Sequence, residues 1–99
     1  MKIILNQRVE LEGDKFPHQW SKEYDSVVIP HKGAFIEDPL WKNPYEYIVT
    51  RVTINYDSNE CYVEIDKFSD VIPDSRKDDF AEMARLHGWT AGWAEYKIR

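Results

Sequence analysis

Residues 47–68 read YIVTRVTINYDSNECYVEIDKF, and this stretch decides the fold. Ile48, Thr50, Val52, Ile54 and Tyr56 alternate with Tyr47, Val49, Arg51, Thr53 and Asn55, the two-residue period of a strand. Asp57-Ser58-Asn59-Glu60 is a cluster of turn formers. The alternation then resumes as Cys61, Val63 and Ile65 against Tyr62, Glu64, Asp66 and Phe68. A tip at Ser58-Asn59 sets Tyr56 opposite Cys61, Ile54 opposite Val63 and Val52 opposite Ile65, all on one apolar face. The same register pairs Arg51 with Asp66 on the other face, an opposite-charge contact of roughly 0.2–1 kcal/mol.

Outward from this hairpin the signals are shorter. Ile3, Leu5, Val9 and Leu11 occupy odd positions of residues 3–11, which suits one edge strand and equally a small hairpin turning at Asn6-Gln7. Residues 14–26 have no clean period and read as a loop anchored by Phe16, Trp20 and Tyr24. Val27-Val28-Ile29-Pro30 reads as a short strand, with extended structure resuming at Ala34-Phe35-Ile36-Glu37 after a turn at His31-Lys32-Gly33. Asp38 to Tyr45, with Pro39 and Pro44, is a second loop.

One helix is predicted, over residues 75–87. Ser75 and Asp78 have a capping-box-like spacing. Asp74, Asp78 and Asp79 suit the positive end of the helix dipole, and Arg85 and His87 its negative end. Phe80, Met83, Ala84 and His87 form an apolar face with Leu86 beside it, and Gly88 is placed for a left-handed stop. Residues 89–98 read as a final strand. The helix must bury its apolar face, and the hairpin offers the surface. The expected fold is therefore α+β: a curled antiparallel sheet of five to six short strands with one C-terminal helix packed on it. At 99 residues the chain makes a single domain spanning positions 1–99.

Composition narrows the function classes. A net charge of −5 argues against nucleic acid, whose phosphates need a basic face. The acidic residues are interspersed with lysines and arginines, so no dense stripe mimics DNA. Cys61, the single cysteine, cannot form an internal disulfide, which points to a reducing compartment. The run Ile3-Ile4-Leu5 is too short for a secretory core, and no apolar run approaches a membrane span. A cytoplasmic location is the expectation.

Motifs for chemistry are missing. Four glycines cannot write a phosphate-binding loop. His18, His31, His87 and Cys61 have no ligand spacing, so no metal or other cofactor is expected. Asp57-Ser58-Asn59 opens like a calcium loop, but Tyr62 and Phe68 stand where glycine and glutamate are required. Cys61 faces the core in the hairpin register and reads as a small inert hydrophobe. No catalytic residue is assigned.

The remaining signal is an excess of rings: four Trp, six Tyr and four Phe. Each carries about 150–250 Å², more than one small core absorbs. Phe35, Tyr56, Phe80, Trp89 and Trp93 are assigned to the core, leaving Tyr47 beside the second loop. Loops folding over the outer sheet face would bury the rest. Alternatively they form a recognition surface, since Trp, Tyr and Arg anchor protein interfaces. On that reading the partner is another protein, contacted by Trp20, Tyr24, Trp41, Tyr45, Tyr62 and Phe68, with Lys42 and Arg51 supplying polar specificity. The chain would then be a non-enzymatic inhibitor or accessory factor of the kind phages and mobile elements carry. The alternative is a small-molecule binder or enzyme whose aromatic-lined pocket holds His31 and a carboxylate, Glu37 or Asp38. A homodimer formed through an exposed edge, residues 3–11 or 91–98, is a further expectation.

Overall fold

The computed structural model describes residues 1–14, 17–37 and 46–91. Strand β1 (Lys2–Leu11) organises the molecule. Its odd residues Ile3, Leu5, Gln7, Val9 and Leu11 are all buried, so the alternation belongs to one continuous strand rather than a hairpin. β2 (His18–Asp25) pairs with it antiparallel, and β5 (Glu60–Ile65) pairs with its other side in parallel. Residues 3–11 are thus interior to the sheet. The expectation that they form a free edge for dimerisation is corrected by these two neighbours.

β2 also corrects the loop predicted over 14–26. Its register sets Trp20 beside Gln7, Lys22 beside Leu5 and Tyr24 beside Ile3, all on the core side. The strand period was masked because a lysine occupies the middle inward position. The stem of Lys22 lies close enough to Gly88 that an added Cβ there would meet Lys22 Cε at 3.4 Å, the usual way a long cationic side chain covers apolar surface. Trp20, expected on a loop, is completely buried.

The central hairpin forms between β4 (Glu46–Asn55) and β5, with a register two residues away from the predicted one. Ile54 faces Cys61, Val52 faces Val63 and Arg51 faces Glu64 instead of Asp66. The cause lies in the turn. Asn55 Oδ1 accepts hydrogen bonds from the backbone N–H groups of Asp57 (3.1 Å) and Ser58 (3.2 Å). That Asx turn makes a four-residue loop, Tyr56 to Asn59, closed by Asn59 in the left-handed region at φ 56°. A two-residue shift preserves facing, so Cys61, Val63 and Ile65 still point inward and are buried. Tyr56 is left on the exposed loop rather than in the core.

A bulge at Thr50 then reverses the facing of everything before it. Upstream, Tyr47 and Val49 are buried and Ile48 is exposed, the opposite of a straight reading of the alternation. Thr50 Oγ1 donates to the Glu64 carbonyl at 3.2 Å across the bulge. β3 (Phe35–Glu37) adds antiparallel to β4, with Phe35 opposite Ile48 and Glu37 opposite Glu46. Phe35 shares the outward side of Ile48 and is 63% exposed, which corrects its assignment to the core. Val27 to Pro30, predicted as a strand, is an open connection with Val27 95% exposed.

After Ile65 the chain keeps following β1. Phe68 N–H donates to the Arg8 carbonyl (2.9 Å), and β6 (Val71–Ile72) pairs in parallel with Glu10 and Leu11. The intervening detour drops Phe68 into the core, where the alternation had placed it outside. Gln7, buried at an inward position of β1, donates its side-chain N–H to the Asp66 carbonyl (3.0 Å) at this detour.

A single 3₁₀ turn, Asp74–Arg76, leads into α1 (Lys77–Leu86). Pro73 and Arg76 stand at the two N-cap positions without a side-chain cap hydrogen bond, and Ser75 lies inside the 3₁₀ turn rather than at the N-cap where the capping-box reading set it. The C-terminus matches expectation. Gly88 adopts φ 89°, Trp89 N–H donates to the Ala84 carbonyl and Gly88 N–H to the Arg85 carbonyl, both at 3.0 Å. This is a Schellman stop, and it sends Trp89 back into the core. β7 (Thr90–Ala91) pairs antiparallel with β2. The rest of the predicted final strand, including Trp93, lies outside the described residues.

The described sheet therefore runs β3-β4-β5-β1-β2-β7, with β6 on the far end of β1. It is antiparallel-rich with two parallel pairings, and together with the helix it forms the α+β fold expected from the sequence. Phe80, Ala81 and Ala84 of the helix join the inward residues of the sheet in one core. Four rings link it together. Trp20 meets Phe80 edge-on at 5.8 Å, Phe80 meets Phe68 at 5.5 Å, and Phe68 stacks on Tyr47 at 6.2 Å. Each such contact contributes about 0.5–1.5 kcal/mol beyond area burial.

Candidate functional site

With the helix covering the inner face, the outer face of the sheet is the broad surface left among the described residues. Its residues follow from the registers. One row reads Arg51, Glu64, Asn6 and Ser21 across β4, β5, β1 and β2, and the next reads Thr53, Tyr62, Ile4 and Glu23. Beyond the bulge, Phe35 and Ile48 continue the same face on β3 and β4.

The centre of this face is polar and ordered by side-chain bonds. Asn6 Oδ1 accepts from Ser21 Oγ at 2.6 Å and from Gln19 Nε2 at 3.2 Å. A cavity of about 260 Å³ opens over Asn6, Arg8, Gln19, Thr50, Glu64 and Asp66, where the Thr50 bulge and the Asp66 detour interrupt the ladder. A second, also about 260 Å³, shares Asn6, Gln19 and Glu64 and extends to Arg51, Thr53 and Tyr62. Lys67 pairs with Glu10 at one border. Tyr62 donates its hydroxyl to Glu60 at 3.0 Å. That bond, the charge of the same carboxylate and some desolvation push the phenol above its usual pKa. Groups of this kind hold a polar surface by hydrogen bonds.

The predicted contact residues are dispersed. Tyr62 and Arg51 lie together on the outer face, Tyr62 being 37% exposed. Tyr24 is exposed at the end of β2, with the Lys22 ammonium 5.0 Å from its ring centre. Trp20 and Phe68 are core residues and cannot touch a partner of the folded chain. Trp41, Lys42, Tyr45 and Asp38 lie outside the described residues. His31 is exposed on its turn, with Nδ1 at 3.1 Å from the Lys32 carbonyl, and Glu37 is exposed on β3. Neither lines a cavity among those described here.

Phe35 and Ile48 are contact candidates that the sequence reading missed, because it ran the alternation straight through Thr50. Cys61 is fully buried and burial raises its thiol pKa, in keeping with its core assignment. Among the described residues no three His, Cys, Asp or Glu side chains are grouped to hold a metal ion, and no helix is long and apolar enough to cross a membrane. Comparison of the chain with protein-family models, curated proteins and solved structures finds no match.

Proposed function

We propose that this chain is a non-enzymatic binding module, an inhibitor or accessory factor that docks on another protein through the outer face of β3, β4 and β5. The observation that carries the reading is the make-up of that face. Phe35 at 63%, Ile48 at 38% and Tyr62 at 37% exposure share the outer face with Arg51, on strands whose inner residues Tyr47, Val49, Cys61, Val63 and Ile65 are buried in the core. Aromatic and arginine side chains on a preorganised scaffold lose little freedom on association, which is what lets few residues carry most of an interface. We place its action in the cytoplasm. The free, buried Cys61 supports that choice, since a fold stabilised without disulfides suits a reducing compartment.

The test is affinity capture from native lysate with three immobilised chains: wild type, Arg51→Glu/Tyr62→Ser, and Leu86→Ser as a control on the exposed side of the helix. A true partner binds wild type and control and is lost from the double variant. With the purified partner the double variant should bind at least about tenfold more weakly. A partner set common to all three chains, or none, overturns the reading.

A further inference from the structure

On the premise that the outer face docks a protein, we propose that the partner contributes an extended segment that adds to the sheet along β3, and that this segment carries an apolar residue and a lysine or arginine two positions apart. Among the described residues β3 is paired on one side only, as the first strand in the order. Val49 N–H donates to the Ala34 carbonyl at 2.7 Å, which fixes the phase of the ladder. Because inward and outward backbone groups alternate along an antiparallel strand, Ile36 turns its N–H and C=O toward β4. Phe35 and Glu37 turn theirs away. A partner segment laid along this edge therefore finds two residues' worth of backbone groups ready to pair.

Side chains specify the occupant. Phe35 and Ile48 face each other, and one row further Glu37 and Glu46 do the same, both exposed. Like charges directly opposite each other across a strand pair repel. Among the described residues neither carboxylate forms an ion pair. An incoming strand places one side chain beside Phe35 and, two residues along, another beside Glu37, on the same side of the sheet. An apolar group at the first place extends the Phe35–Ile48 contact. A cation at the second relieves the Glu37–Glu46 repulsion. A second copy of this chain fits less well, since it brings two more carboxylates to the same short edge and a net charge of −5 with them.

Random octapeptides displayed on phage, panned against the full chain, test the proposal. Enriched peptides should share an apolar residue two positions from a lysine or arginine. Synthesised, they should protect the Phe35 and Glu37 amides from hydrogen exchange. Glu37→Lys, an exposed substitution whose fold is checked by near-ultraviolet circular dichroism, should weaken them about tenfold, as expected for turning an attractive cross-strand pair into a repulsive one. Enriched peptides without a cation, or unaffected by Glu37→Lys, overturn the edge model, as does no enrichment. Protection confined to amides outside β3 also overturns it while leaving the docking reading intact. Dimerisation by light scattering that Phe35→Ser abolishes would give the edge to a second copy instead.

Discussion

Gln7 occupies a place where every neighbour in its stripe is aliphatic, and it is only 1% exposed. Its amide N–H satisfies the Asp66 carbonyl, the backbone group stranded where the chain leaves β5 before rejoining β1 at β6. The cost is its own Oε1, which has no hydrogen-bond partner among the described residues. Two substitutions separate these effects. Gln7→Met keeps the volume and removes the unpaired oxygen but also the donor, so gain and loss nearly cancel. It should cost no more than about 1 kcal/mol. Gln7→Ala leaves both a void and an orphaned carbonyl and should cost about 2 kcal/mol or more. Urea unfolding midpoints at constant slope measure both. Equal costs would mean that the hydrogen bond to Asp66, rather than packing, sets the value of this position. The sequence shows Gln7 at an odd position of β1, but nothing in it reveals the detour that calls for an amide there.

The elements legible in the sequence were those whose signal is local. β4, β5, the helix and its Gly88 stop rest on alternation, spacing and one left-handed residue, all readable within a few positions. The misreadings come from choices made between segments. β2 hides its period because Lys22 faces inward, made acceptable there by Gly88 on the helix end. Thr50 hides because a bulge adds one residue to a strand without breaking its composition. Its consequence is large, since it decides which of Tyr47, Ile48 and Val49 reach the core. Deleting Thr50 removes the extra residue, so Val49 adjoins Arg51 in a continuous alternation with Tyr47 and Val49 still inward and the pairing of Val49 with Ile65 kept. The deletion should therefore cost little more than the Thr50–Glu64 hydrogen bond, about 0.5–1.5 kcal/mol. Thermal melts followed by circular dichroism report it. A deletion variant that fails to fold would show that the bulge itself, and not only the facing it sets, is required. The candidate site shares this blind spot. Arg51 and Tyr62 were legible from the hairpin, whereas Phe35 and Ile48 reach the outer face only through the bulge.

At the scale of the whole molecule the chain divides its rings between two tasks. Trp20, Tyr47, Phe68, Phe80 and Trp89 fill the core, while Tyr24, Phe35, Tyr56 and Tyr62 remain exposed. The surplus inferred from composition is thus present, divided between two of the residues first chosen, Tyr24 and Tyr62, and two first assigned to the core, Phe35 and Tyr56. What holds the core rings in place is β1, which pairs with β2 from the early chain and with β5 and β6 from the later half. Among the described strands no other joins them, because β1 alone lies between β2 and β5 in the sheet order. A chain lacking residues 1–11 should therefore show no cooperative melt and no near-ultraviolet signal from buried rings. The exposed connection provides the contrast. Val27→Ser/Val28→Ser alters residues 95% and 71% exposed and should leave stability within about 0.5 kcal/mol of wild type. If the shortened chain melts cooperatively, the parallel pairing of β1 with β5 is not what closes the fold. If the double serine variant unfolds, exposure at Val27 and Val28 is not a guide to what these side chains contribute to the fold.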